Sequence, residues 1–181
     1  MEPKLLIVRV DLLTKTLSGE RRPLHCRDIQ AVDGAYSALD NWAKWGYTIL
    51  GLSDQSVIAK QNKPFGIVIE ELAYTIYCFP PLEAIYLDPG YATEGGYRLD
   101  AANYCQIDRA KTSNSFLSSV LLSACSRYGV TSGNVWVASD SIEDEEVSSS
   151  HGVNFIAGDV WRVCLDASLI NPQPLISFEY Y

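Results

Sequence analysis

The 181-residue sequence lacks any apolar run that approaches the roughly 20 residues a helix needs to cross a bilayer. Its first ten residues, MEPKLLIVRV, also lack the basic flank, long apolar stretch and small-residue cleavage site of a secretory signal. We therefore expect no membrane-spanning segment and a cytoplasmic location.

Histidine is scarce and paired cysteines are absent. The chain has two histidines, and its five cysteines are scattered along the sequence without a CxxC pair. Because tetrahedral zinc sites usually take paired ligands from short loops, this composition argues against a structural zinc. An odd number of separated cysteines also fits reduced thiols better than a disulfide framework.

Positive charge is in short supply, with 14 Lys and Arg against 22 Asp and Glu and a formal net charge of −8. Nucleic-acid affinity comes largely from Lys and Arg that neutralise phosphates, so we expect no nucleic-acid partner. A small phosphorylated molecule is still compatible with this charge, because a local cationic site can exist within an acidic protein.

The remaining composition is that of an ordinary globular protein, with 48% hydrophobic and 20% charged residues. A chain of this length forms one domain and buries roughly 70% of the surface that its unfolded form exposes. We predict an α/β domain over residues 1–159 and a C-terminal tail, residues 160–181, that packs on the same domain.

Strand and helix patterns alternate along the chain. Continuous apolar runs indicate buried strands at residues 4–12, 47–52, 83–88, 134–139 and 153–157. Apolar residues at helical spacing indicate helices at 29–45, 67–79 and 115–129, with a short acidic helix at 142–152. This order predicts a Rossmann-like three-layer sandwich around a central parallel sheet. The stretch 89–114 is rich in Gly, Asp, Asn and Tyr, and we expect it to be a loop outside the core.

Polar residues stand at the predicted carboxyl ends of the strands, where parallel sheets bind their ligands. They are Asp11, Ser53, Asp88 and Asp140, and Lys111 stands just before a helix. Carboxylates, a hydroxyl and an ammonium at neighbouring strand ends are the groups that phosphoryl transfer through an aspartyl-phosphate needs. Each residue alone has an ordinary explanation, as a turn residue, a helix cap or a solvated lysine, so the interpretation depends on their agreement in order and position.

Four segments carry a resemblance to a known family. They are VRVDLLTK, GLSDQSVIAK, RAKTSNSFL and VASDSIEDEEV. In order and residue type they resemble the four motifs of the haloacid dehalogenase-like hydrolases, with a spacing that is closest to the small-capped histidinol-phosphatase-like branch. The resemblance covers residues 4–157 and implies an α/β domain of this family without a large cap domain.

The resemblance implies a phosphatase that acts on a small phosphomonoester through an aspartyl-phosphate. It gives Asp11 as the nucleophile. It also makes Ser53 and Lys111 catalytic groups, which together with Asp54 bind the phosphoryl group of the substrate.

The resemblance also implies a Mg²⁺ cofactor. Its ligands would be Asp11, Asp140 and the backbone carbonyl of Leu13, with Asp144 supporting them from behind. Mg²⁺ commonly takes one or two carboxylates and keeps several waters, which suits this set of ligands.

Leu13 is the main departure from the family pattern, because phosphatases of the family carry a second Asp at its position. In the family that Asp is the general acid and base, a role that contributes roughly 10²–10⁴-fold to the rate. Two hypotheses stay open: a slow phosphatase, and a catalytically inactive binding or regulatory domain that retains the phosphate and metal pocket. A carbon–halogen hydrolase is a third. If the missing acid limits turnover, Leu13→Asp should raise phosphatase activity.

Overall fold

The structure is a computed structural model that describes residues 2–20, 23–55, 63–90, 96–101, 104–106 and 115–164. Within these residues one central sheet lies between two layers of helices, each with its own apolar core. The three-layer α/β architecture predicted from the sequence is confirmed. No helix in these ranges is both long enough and apolar enough to cross a membrane.

Nine strands occur in the described residues. They are β1 (Lys4–Arg9), β2 (Thr14–Thr16), β3 (Ile29–Ala31), β4 (Tyr47–Asp54), β5 (Leu82–Asp88), β6 (Tyr97–Asp100), β7 (Tyr104–Gln106), β8 (Val135–Ser139) and β9 (Asn154–Ala157). Seven form the central sheet in the order β7-β6-β5-β4-β1-β8-β9, and β2 pairs with β3 in a separate hairpin. The five strands from β5 to β9 in this order are parallel.

The prediction that residues 89–114 form a loop outside the core is wrong for part of this stretch. Strands β6 and β7 lie in this stretch and extend the sheet beyond β5 in antiparallel orientation. Leu99 of β6 is buried in the core, so part of the stretch is not a loop outside it. Composition misled the prediction because β6 is stabilised by its pairing with β5, and strand formation depends more on such neighbours than on intrinsic propensity.

The helices cover both faces of the sheet. They are α1 (Ala35–Lys44), α2 (Phe65–Cys78), α3 (Phe116–Tyr128), α4 (Ile142–Ser150) and α5 (Gly158–Val163). Helices α1, α2 and α5 pack on one face, and α3 and α4 pack on the other. Helix α5 crosses the predicted boundary at residue 159, and its Trp161 is fully buried in the core that α1 also joins.

Helix α1 is shorter than the predicted helix at 29–45. It begins at Ala35, and Ile29–Ala31 forms β3 instead. Gly34, which directly precedes α1, has a φ of 84°, a left-handed conformation that interrupts a helix and that glycine adopts without strain. The apolar spacing that begins at residue 29 therefore runs through a strand and a turn before the helix begins, and this made the predicted helix too long.

The first strand ends earlier than predicted, at Arg9, and Val10–Leu12 forms one turn of 3-10 helix. The Leu13 N–H donates to the Val10 carbonyl at 3.0 Å and closes this turn. Leu12 and Leu13 are consecutive but belong to the same apolar core, and in a strand they would face opposite sides of the sheet. The turn places both side chains in that core, and Asp11 lies on the turn instead of at the tip of β1.

The loop between β2 and β3 is organised by the buried carboxylate of Asp28. Its oxygens accept hydrogen bonds from the Ser18 N–H at 2.8 Å, the Ser18 hydroxyl at 2.7 Å and the Leu24 N–H at 2.9 Å. The Ser18 hydroxyl bond, followed by the Leu24 N–H bond, lowers the pKa of Asp28 below its ordinary value. Asp28 thus joins the two sides of the loop that connects β2 to β3.

Leu13→Asp should destabilise the protein instead of activating it. Leu13 is fully buried among apolar side chains, and a carboxylate there would have no charged or hydrogen-bonding partner. We expect a loss of at least about 3 kcal/mol in the free energy of unfolding, measured by urea denaturation followed by circular dichroism. Leu13→Met is the matched control, and it should cost less than about 1.5 kcal/mol. Equal stability of the two variants would contradict the burial of this side chain.

Asp28→Asn should make the protein less stable at neutral pH. Because the folded-state pKa of Asp28 is lowered, its contribution is present above the unfolded pKa of about 3.9 and is lost as the pH falls through the folded pKa. The difference in unfolding free energy between wild type and variant should therefore stay constant above about pH 5 and shrink below about pH 4. The control is Asp33→Asn, which removes the same charge at a fully exposed side chain. A difference that does not change with pH would refute this assignment.

Candidate functional site

A cavity of about 490 Å³ lies at the carboxyl end of β1 and β4, between the turn after β1, the β2–β3 hairpin and α2. In α/β sheets this is the edge at which ligands bind. The cavity is lined by Arg9, Val10, Asp11, Thr14, Lys15, Thr16, Glu20, Pro23, Ile29, Leu52, Ser53, Asp54, Gln55, Lys63, Glu71, Leu72 and Thr75. It is the natural candidate site of the described chain.

Three of the residues predicted for the site meet in this cavity. Asp11 reaches it from the turn after β1, and Ser53 and Asp54 reach it from the end of β4. Ser53 is buried, and its hydroxyl oxygen accepts a hydrogen bond from the Gln55 side chain at 2.9 Å. Lys111 lies outside the described residues, so its predicted role stays a prediction.

The predicted metal ligands are not gathered in the same cavity. Leu13, Asp140 and Asp144 are absent from its lining. The Leu13 carbonyl accepts the N–H of Val32 at 2.9 Å, and Oδ1 of Asp140 accepts the N–H of Gly158 at 2.9 Å. Of the residues predicted to bind or support Mg²⁺, only Asp11 borders the cavity.

The parallel pairing of β1 with its two neighbours ends before the turn that carries Asp11. Strand β1 pairs Arg9 with Leu52 of β4 and Val8 with Ala138 of β8. The next residue, Val10, begins the 3-10 turn and pairs with neither strand. Val10 is buried, whereas Asp11 stands one residue further along, with a side chain that is 76% exposed.

A guanidinium lies beside the carboxylates at this end of β1. The Nε atom of Arg9 is 4.0 Å from Oδ1 of Asp11 and 3.7 Å from Oδ2 of Asp144. Asp144 is buried at the start of α4, and the same oxygen accepts the hydroxyl of Ser139 at 2.6 Å. Positive charge at this place is therefore already supplied by the chain itself.

These observations do not fit a Mg²⁺ site built from Asp11, Asp140 and the Leu13 carbonyl. The guanidinium of Arg9, whose Nε lies 4.0 Å from Oδ1 of Asp11, would repel a divalent cation held by that carboxylate. Across the described ranges, no group of three or more His, Cys, Asp or Glu side chains is arranged to hold a metal ion.

Lys63 and Glu71 are cavity residues that the sequence analysis missed. The Lys63 ammonium donates to both carboxylate oxygens of Glu71, at 2.5 Å and 2.8 Å. Glu71 is buried on the face of α2 that also carries Leu72 and Thr75. A charged residue on the buried stripe of a helix needs a partner, so the position of Glu71 is a signal from which a nearby cation could have been predicted.

The cavity therefore presents charges of both signs together with hydroxyl groups. Its cations are Arg9, Lys15 and Lys63, and its carboxylates are Asp11, Glu20, Asp54 and Glu71. Such a lining suits a ligand that has an anionic group and also several hydrogen-bond donors.

Comparisons with known proteins show similarity in structure but not in sequence. No family model and no curated protein matches the chain. The crystal structure of D,D-heptose 1,7-bisphosphate phosphatase from B. bronchiseptica, complexed with magnesium and phosphate, superposes with a TM-score of 0.60 at 16% identity, over 84% of this chain and 78% of that one.

Two further solved structures agree. A putative haloacid dehalogenase-like phosphatase from Mesorhizobium loti has a TM-score of 0.60 at 10% identity, over 84% of this chain and 70% of that one. Phosphoserine phosphatase in its apo form has a TM-score of 0.51 at 11% identity, over 86% of each chain. The α/β sandwich of this chain is therefore the fold of the haloacid dehalogenase-like phosphatases.

Proposed function

We propose that this chain is a binding domain for a small phosphorylated molecule, with a phosphatase fold but without the Mg²⁺-dependent aspartyl-phosphate chemistry. The observation that carries the proposal is Leu13, whose side chain is fully buried in the apolar core directly after the turn that carries Asp11. Turnover of an aspartyl-phosphate needs a general acid and base beside the phosphoryl group, and a buried leucine can neither donate nor accept a proton.

The phosphoryl group would be bound by the polar side chains at the end of β4 and the start of α2. Ser53 offers a hydroxyl and Lys63 an ammonium, and both line the same cavity. Charge-assisted hydrogen bonds of this kind are about twice as strong as neutral ones. The phosphate in the structurally similar heptose bisphosphate phosphatase supports this proposal. Lys111 is retained as a further proposed phosphate ligand.

The remainder of the ligand would carry hydroxyl or ammonium groups. Glu20 and Asp54 supply carboxylate oxygens, which accept hydrogen bonds from such groups. Pro23, Ile29 and Leu72 supply apolar contacts on the cavity wall. A phosphomonoester with several hydroxyls matches this lining better than inorganic phosphate alone.

A slow phosphatase is the second candidate, because Asp11 borders the same cavity as Ser53. In that case the Asp11 carboxylate would attack phosphorus and release the alcohol, and water would then hydrolyse the aspartyl-phosphate. The buried Leu13 has no proton to give to the leaving oxygen, so this reaction would lack its general acid.

Removing the proposed phosphate contacts should weaken ligand binding. We expect Ser53→Ala to weaken it severalfold, and the double variant Lys63→Met, Glu71→Gln to weaken it by about tenfold or more, since a charge-assisted bond is lost. The double variant is used because Lys63→Met alone leaves Glu71 buried without its cation. Binding of a panel of phosphomonoesters is measured by isothermal titration calorimetry, with Lys44→Met, at an exposed residue outside the cavity, as the control.

The same panel separates the two candidate functions. Incubation with Mg²⁺ and assay of released phosphate should give no turnover by the wild type, while ligand binding persists in Asp11→Asn. Mg²⁺-dependent release that Asp11→Asn abolishes would establish the phosphatase. Absence of binding by every panel member, together with absence of turnover, would refute both.

A further inference from the structure

We infer that the guanidinium of Arg9 takes the place of a divalent cation in this site and binds the phosphoryl oxygens directly. Ligand binding would then be independent of Mg²⁺. The inference rests on the proposed function and adds the residue that supplies the charge.

Arg9 is positioned for this role by the strand that carries it. It is the last residue of β1, directly before Val10, and it lines the cavity together with Ser53. Its side chain is 21% exposed, so the charge is largely removed from solvent but is still accessible from the cavity. Electrostatic attraction to an anion is stronger in such a place than at the open surface.

The hydrogen-bonding capacity of Arg9 is largely unused. Both of its ion pairs, with Asp11 and Asp144, are measured at Nε and are longer than hydrogen bonds. Within the described part of the chain, its two terminal amino groups donate to no residue. A guanidinium has five N–H donors in a planar fork, which matches two phosphoryl oxygens at once.

Asp144 holds the guanidinium in place. It is buried, and the hydroxyl of Ser139 fixes the oxygen nearest to Arg9. An arginine whose side chain is already restricted by a buried carboxylate loses less conformational entropy when it binds an anion. Asp11, by contrast, is exposed and competes with an anion for the same cation.

The effect of Asp11→Asn has opposite signs in the two models. If Arg9 binds the phosphoryl group, loss of the Asp11 charge removes a competitor and a repulsion, and phosphate should bind more tightly without metal. If Asp11 is a Mg²⁺ ligand, the variant should lose Mg²⁺ and the phosphate that depends on it.

Phosphate binding is therefore titrated by calorimetry, with inorganic phosphate and with the panel member that binds best, in EDTA and in excess Mg²⁺. We expect equal affinity in the two buffers, a loss of about tenfold or more in Arg9→Gln, a smaller loss in Arg9→Lys, and a gain in Asp11→Asn. The matched control is Arg127→Gln, which removes the same charge at an exposed residue of α3 outside the cavity.

A second variant tests whether any loss of binding in Arg9→Gln results from misfolding. Arg9→Gln leaves Asp144 buried without its cation, so Arg9→Gln, Asp144→Asn is measured beside it, with circular dichroism to verify the fold. The double variant should also bind about tenfold more weakly than wild type.

The outcomes separate this inference from the proposed function. Binding that requires Mg²⁺, or Mg²⁺-free binding unchanged in both Arg9 variants, overturns the role of Arg9 and leaves the phosphate-binding domain standing. If the wild type binds no panel member and no phosphate in either buffer, the proposed function fails and the role of Arg9 fails with it.

Discussion

The pairing of β1 with both β4 and β8 is the constraint on which the site depends. Leu5, Leu6, Ile7 and Val8 are fully buried, with alternate side chains in the cores on the two faces of the sheet. A shift of one residue would exchange these faces and place every side chain in the opposite core. The register is therefore fixed, and so is the level at which β1 ends, with Arg9 opposite Leu52 of β4 and Val8 opposite Ala138 of β8.

Because this register fixes where β1 ends, the residues after Arg9 have different roles, and some are buried while one faces solvent. Val10, Leu12 and Leu13 are buried and close the core beneath the cavity, so none of them offers a carboxylate to it. Only Asp11 is polar in this turn, and its side chain is exposed. The positions on either side of Asp11, which could otherwise carry groups for acid–base or metal chemistry, are occupied by apolar side chains that pack in the core. Such a turn stabilises the fold, and it is consistent with the proposed binding function.

The sequence predicted the layers, the parallel centre of the sheet and the meeting of Asp11, Ser53 and Asp54, because buried strands and their polar ends leave a clear pattern. It could not predict where β1 ends, since the residues of the following turn are as apolar as the strand. It also missed β6 and β7, because β6 is stabilised by pairing with β5, and β7 by pairing with β6. The pair of Lys63 and Glu71 joins residues eight positions apart across a helix start, a relation that only the fold reveals.

In this acidic protein, with a net charge of −8, two cations of the proposed phosphate site lie beside buried carboxylates. Lys63 is hydrogen-bonded to Glu71, and Arg9 forms an ion pair with Asp144. Burial of an unpaired lysine or arginine costs free energy of desolvation, and a neighbouring carboxylate offsets part of this cost. The same carboxylates also weaken the attraction for a phosphoryl group. For the proposed ligand, affinity would then come from its hydroxyls and other groups as well, and this would favour phosphorylated molecules over free phosphate.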